Sequence, residues 1–235
     1  MKTLLTAEWT NLLVATFETD KTLLKKFLPA KTELSEWKGK YFMSLVGFIF
    51  SNPRLLSIPS PFYRKFEEVN LRFYVRHKEK TKWKNGVVFI KEIATSPLIG
   101  LVAKWLYHEN FISLPLKHNF NTTNTEKGIE YSWKLGNNWN YIKSQTSLSR
   151  SLSNNTIEAF IADHYWAYTK AGDHKTFEFE IEHPPWNIYP STSFKMNLDA
   201  EKIYGSEFAE YFQQDPLTVF LMDGSTTKVS YPKLV

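Results

Sequence analysis

Residues 68–76 read EVNLRFYVR, and apolar and polar side chains alternate without a break. Val69, Leu71, Phe73 and Val75 form one face, and Glu68, Asn70, Arg72, Tyr74 and Arg76 form the other. A strand sends successive side chains to opposite sides, so the first set belongs to a core. The second set looks either at water or into a cavity that holds a ligand. Comparable runs predict strands over 40–50, 69–77 and 87–94, and a hairpin of 129–135 with 139–148 turning at Gly136-Asn137-Asn138. Phe177, Phe179 and Ile181 alternate with Glu178, Glu180 and Glu182, which predicts a half-exposed strand. Segments 217–222 and 228–231 would close the sheet. The basic run RHKEKTKWKNG, residues 76–86, reads as a solvated hairpin tip that turns at Asn85-Gly86.

Helical spacing is sparser. Asp20 caps a short predicted helix through Leu23, Leu24, Phe27 and Leu28, stopped by Pro29. Ser96-Pro97 opens a helix of about 12 residues, apolar around much of its circumference and therefore buried on more than one side. A third helix starts near Thr156 and places Ile157, Phe160, Ile161, His164, Tyr165 and Tyr168 at helical spacing. A short fourth lies around 199–204. The pattern predicts one α+β domain over residues 1–235, mainly antiparallel β, built as a large curved sheet or barrel with a few packed helices. A barrel also removes exposed edges.

Composition narrows the chemistry. A chain of 235 residues can bury about three quarters of its unfolded surface, so a real core is available. The aromatic fraction of 16%, with eight Trp, favours strands. There is no cysteine, which excludes disulfides, thiolate nucleophiles and Cys-ligated metals and is compatible with a cytoplasmic protein. Glu8 and Trp9 interrupt the apolar N-terminus before a signal-peptide core can form. No run approaches the roughly 18 apolar residues of a spanning helix, so no membrane partner is expected. The net charge of +5 comes from scattered lysines without a groove-reading motif, so no nucleic acid is expected either. The six histidines lack metal-ligand spacing, and no phosphate-cradling, HExxH or GxSxG motif implies a cofactor or a known nucleophile.

Three stretches carry candidate chemistry. In VVFIKEI, residues 87–93, strict alternation puts Lys91 on the face of Val87, Phe89 and Ile93, and Glu92 on that of Val88, Ile90 and Ala94. Both faces are apolar, so Lys91 and Glu92 either snorkel at the strand end or have partners such as Arg72, Arg76 or Glu68. They form either a structural ion pair or a catalytic set in which a desolvated Lys91 amine acts as nucleophile. LYHENFISLPLKH, residues 106–118, places His108, Glu109 and Asn110 where the second helix ends. There they either cap the helix or project into a cavity. In EHPPWNIYP, residues 182–190, two prolines end a strand, and Trp186 packs or stacks on a ligand.

The order of these motifs is informative. FLPAKTELSEWKGKYFMSLVGF is followed by VNLRFYVR, GVVFIKEI, LYHENFISLPLKH, FIADHYWAYTK and EHPPWNIYP. From about Leu12 to Pro232 the chain resembles the YqjF-like family of uncharacterised conserved proteins, which looks related to acetoacetate decarboxylase. The resemblance implies a cone-shaped antiparallel barrel around a central pocket. The polar face of EVNLRFYVR would then point into the cone, with its apolar face outward against helices. Asn70, Arg72, Tyr74 and Arg76, joined by His108, Asn110, Tyr165 and Trp186, would bind a small organic acid or carbonyl compound. Lys91, Glu92 and Glu109 would carry proton or amine chemistry of a lyase type. The rival reading is a non-catalytic ligand sensor or structural barrel, and aromatic-rich edges leave room for a homo-oligomer. The decarboxylase lysine pair falls at HENFI, where Phe111 and Ile112 stand, and its early-strand arginine matches Glu18. The Schiff-base machinery is therefore not carried over, and Lys91 is the amine offered from another strand.

Overall fold

The computed structural model describes residues 2–60, 64–95, 110–150 and 155–235. The predicted helix from Ser96, with His108 and Glu109 at its end, lies outside the described residues. Strands dominate the rest. They are β1 (Thr3–Glu18), β2 (Thr32–Leu34), β3 (Phe42–Leu55), β4 (Ile58–Pro59), β5 (Lys65–Glu79), β6 (Lys82–Ala94), β7 (Phe111–Ser113) and β8 (Leu116–Thr122). Then follow β9 (Glu126–Leu135), β10 (Asn138–Ser147), β11 (Trp166–Gly172), β12 (Lys175–Glu182), β13 (Ile188–Asn197), β14 (Thr218–Ser230) and β15 (Lys233–Leu234). The helices are short: α1 (Lys21–Lys25), α2 (Ile157–Ala162), α3 (Ala200–Tyr204) and α4 (Ser206–Ala209). No helix among the described residues is long and apolar enough to cross a membrane.

Strand pairing runs β12-β11-β6-β5-β3-β1-β14, and β14 pairs back onto β12, so the seven strands form a circuit. All of these contacts are antiparallel except the short parallel seam between β6 and β11. From β14 the order continues through β13, β10 and β9 to β8, a second layer of antiparallel strands. Two apolar clusters follow from this arrangement. One lies inside the circuit and takes Val14, Val46, Tyr74, Val87, Ala167, Ile181 and Phe220, one from each of its strands. The other lies between the outer face of the circuit, the second layer and the helices. It holds Leu13, Leu45, Val69, Leu71 and Phe73 with Tyr131, Trp133, Ile142, Ile203 and Phe208.

Because both faces of the circuit are covered, β1, β3 and β6 contain nearly continuous apolar runs. This explains β1, which the sequence reading did not assign as a strand: Leu12 and Val14 face inward, and Leu13, Ala15 and Phe17 face outward. Asn11, with φ of 57°, interrupts its register against β3. The hairpin of β9 and β10 turns as expected, with Gly136 at φ of 58°. Other expectations are corrected. The β5–β6 hairpin turns at Lys80 and Thr81, with Lys80 at φ of 55°, and Gly86 lies within β6. Gly86 is needed there because a Cβ would stand 2.7 Å from the carbonyl oxygen of Trp166 across the parallel seam. The third predicted helix stops at Ala162, since the following residues pair as β11, and Tyr168 is a strand residue. The two closing strands are the single strand β14. Glu178 is fully buried rather than half-exposed.

Candidate functional site

The polar face of β5 turns inward. Glu68, Asn70 and Tyr74 are buried, at 9%, 3% and 1% exposure, and Arg72 is half-buried between them. Their partners come from the neighbouring strands. Thr16 of β1 and Ser44 of β3 lie in register, and their hydroxyls are 2.8 Å apart. Ser44 is in turn 2.5 Å from the Tyr74 hydroxyl. On the other side, Asn70 pairs with Glu92 of β6. The Asn70 amide donates to Glu68 Oε1 at 3.3 Å, and Glu92 lies close enough for its charge to act on the Glu68 carboxyl.

A β-bulge places Glu92 here. The register of β5 against β6 slips between Leu71 and Arg72, so that Arg72 opposes Phe89 while Leu71 opposes Lys91. Glu92 and Ala94 therefore share the inner face with Val87 and Phe89, and Lys91 joins Val88, Ile90 and Ile93 on the outer face. This corrects the alternation read from sequence, which a bulge breaks. Lys91 does not meet Glu68, Arg72 or Arg76. Its amine donates to the carbonyl of Ile203 in α3, and burial lowers its pKa.

Electrostatics set the protonation. Burial, and then the charge of Glu92, push the Glu68 carboxyl well above the usual range. A neighbouring carboxylate disfavours the charged form, so the proximity of Glu92 adds to the effect of burial on Glu68. Burial also raises the Tyr74 phenol. His164, between α2 and β11, is buried against the ring of Tyr74 at 4.8 Å. Burial and then the Arg72 charge lower it to about 3, so it is a neutral imidazole. The α2 carbonyls of Phe160 and Ile161 favour its charged form without forming a hydrogen bond of normal geometry. His183 is lowered by burial and, in smaller part, by Arg72. It stacks on Trp186 at 3.7 Å and lies 4.8 Å from Tyr165. The Trp186 indole donates to Ser225 Oγ at 2.8 Å.

The structure thus gathers Asn70, Arg72, Tyr74 and Glu92 on one enclosed face and places the Tyr165–His183–Trp186 stack within the electrostatic reach of Arg72. It does not bring in Arg76, which sits 3.1 Å from Glu33 and 4.3 Å over the Trp83 ring. Asn110 is exposed, and its amide donates to the carbonyl of Ile90 at 3.0 Å, tying β7 to β6. His108 and Glu109 fall outside the described residues. Sequence reasoning missed Glu68, Ser44, His164 and His183 as site residues. Only Glu68 had a signal, its place in the alternating polar row. No cluster of His, Asp and Glu among the described residues is arranged to hold a metal. Cavities lined by described residues open elsewhere; one of about 480 Å³ holds Lys127, Asn11 and Asp223.

Several known proteins are similar to this chain in sequence or in fold. The chain is 26% identical over 183 residues to the uncharacterised protein YqjF of Bacillus subtilis (strain 168), covering 76% of this chain and 72% of that one. Acetoacetate decarboxylase from Legionella pneumophila superposes with a TM-score of 0.69 at 10% identity, covering 100% of this chain and 88% of that one. The enduracididine biosynthesis enzyme MppR, solved in complex with pyruvate, superposes at 0.64 with 8% identity, covering 100% of this chain and 91% of that one. At such identities the likeness establishes an acetoacetate decarboxylase-like fold, mostly antiparallel with few helices, and no activity. The model of the DUF2071 family, described as "Uncharacterized conserved protein", matches residues 6–226. With nearly the whole chain matched, this protein belongs to the DUF2071 family.

Proposed function

We propose that the face enclosed by the seven-strand circuit is the wall of a cone-shaped barrel whose pocket binds a small organic acid or carbonyl compound. Arg72 anchors the anion, since its planar fork matches a carboxylate in a bidentate way. Asn70 and Tyr74 orient the bound molecule, and Tyr165 and Trp186 offer flat apolar surface beside it. The Glu68 carboxyl, raised by burial and by Glu92, can give a proton to a carbonyl oxygen or, once ionised, take one from the adjacent carbon. That is the proton chemistry of a lyase-type reaction. The observation that carries this reading is the burial of Glu68, Asn70 and Glu92 around Arg72 on an inward face. Burying ionisable and polar groups is costly, and sites are where proteins tolerate this. The pyruvate held by one structural neighbour is a small anion of the class proposed. The lack of cysteine accords with a cytoplasmic setting.

Thermal unfolding of wild type and Arg72→Ala against a panel of small carboxylates and keto acids tests the reading. A ligand at a hundredfold excess over Kd adds about 2.7 kcal/mol to the folded state. The expected result is a shift in wild type that disappears in Arg72→Ala. No shift with any compound overturns the pocket. Binding without turnover, followed by proton NMR of the bound compound, favours a non-catalytic sensor.

A further inference from the structure

Several buried polar atoms on the enclosed face find no hydrogen-bond partner among the described residues: Asn70 Oδ1, Arg72 Nε, and both ring nitrogens of His164. Each left so lowers stability, and such atoms are rare in folded proteins. They also differ in kind. Arg72 Nε only donates. Asn70 Oδ1 only accepts, and the network fixes which end of the amide is free. The Asn70 amide nitrogen donates to Glu68 Oε1 at 3.3 Å. The Asn70 NH₂ therefore faces Glu68, and its oxygen is left over. His164 is neutral, with one nitrogen donating and the other accepting. A simple keto acid has only acceptors. It satisfies Arg72 Nε and one nitrogen of His164, and leaves Asn70 Oδ1 and the accepting nitrogen of His164 without a donor.

We infer that the preferred ligand is a small hydroxy acid, a carboxylate that also carries a hydroxyl, whose O–H is read by Asn70 Oδ1 and His164. This rests on the pocket proposed above and narrows its substrate class. The carboxylate lies on Arg72, and the hydroxyl donates a hydrogen bond to Asn70 Oδ1 and accepts one from the donating nitrogen of His164. A site built to hydrogen-bond a hydroxyl rejects the analogue without it, because its own groups are then left unpaired.

Calorimetric titration with matched pairs tests this: lactate with pyruvate, 2-hydroxybutyrate with 2-oxobutyrate, and 3-hydroxybutyrate with acetoacetate. In wild type the hydroxy member of at least one pair is expected to bind about tenfold or more tightly. Asn70→Leu and His164→Phe, checked for folding by circular dichroism, should each cut that ratio below about threefold, whereas Arg72→Ala weakens both members alike. Equal binding, or tighter binding of the keto acid, overturns the hydroxyl inference while leaving the pocket standing. A ratio that survives in both folded variants also overturns it. If no member of any pair binds wild type, the pocket reading falls and the inference with it. If a variant does not fold, the wild-type ratio decides.

Discussion

Glu68 and His164 share the enclosed face and respond to pH in opposite senses. Burial, and then Glu92, raise the Glu68 carboxyl above 4.5, so the folded chain holds a proton that the unfolded chain releases. Its contribution is complete below pH 4.5 and is lost as pH rises through the higher folded value. Burial, and then Arg72, lower His164 from 6.5 to about 3. Its contribution is present above pH 6.5 and is lost as pH falls toward 3. One proton changes stability by at most about 1.4 kcal/mol per pH unit. Calorimetric unfolding from pH 4 to 9 should therefore show a flatter alkaline limb in Glu68→Gln and a flatter acid limb in His164→Phe. A Glu68→Gln protein with the wild-type alkaline slope would place that proton elsewhere. Ser44→Ala should cost about 1–3 kcal/mol in urea unfolding, because Thr16 and Tyr74 both lose a buried partner. At this scale the sequence was informative only where alternation spoke. Glu68, Asn70, Arg72 and Tyr74 stood in one polar row, but His164 and His183 came from segments whose meeting no local pattern encodes.

Elements were legible where one rule dominated. The β9–β10 hairpin has a glycine turn and a clear alternation, and it formed as read. Residues 76–86 held two candidate turns. The structure turns at Lys80, a non-glycine residue at positive φ, because the strands then extend far enough for β6 to reach β11. Gly86 is occupied by another task, the close approach of the Trp166 backbone and the Tyr168 ring, both under 3 Å from a built Cβ. Gly86→Ala should therefore destabilise by about 1–3 kcal/mol, typical of overpacking, read as a lower urea midpoint. Lys80→Gly should instead be neutral or raise the midpoint, since it removes the strain of a left-handed residue. If Gly86→Ala is silent, the parallel seam is looser than drawn. The bulge opposite Leu71 and Arg72 belongs to this scale too. It exchanges the faces of Lys91 and Glu92 relative to Phe89, and nothing in VVFIKEI announces it.

Closure of the whole molecule depends on the seam where β6 meets β11 and β12. Lys84 of β6 reaches across to the fully buried Glu178 of β12 at 2.8 Å. Its ammonium also lies 3.9 Å over the Trp166 ring, and Glu178 accepts from the Tyr168 hydroxyl at 3.1 Å. Removing one partner of a buried pair leaves the other charge uncompensated, whereas replacing both with apolar groups is often tolerated. Lys84→Met should lower stability by about 3 kcal/mol, and Lys84→Met with Glu178→Leu should recover most of it. Equal losses in the single and double variants, measured by chemical unfolding, would mean that the pair does not join the seam.

By itself, the sequence determined the class of fold, the alternating polar row of β5 and the absence of cysteine chemistry. These depend on local periodicity and composition, which any segment carries without its neighbours. The tertiary structure decided which face of β6 carries Glu92, that Glu178 is buried, and that His164 stands beside Arg72. Those outcomes depend on register, a bulge and strand closure, where residues far apart in the chain compete for the same space. A one-residue slip moves a side chain to the other side of the sheet, and only the packed whole selects the slip.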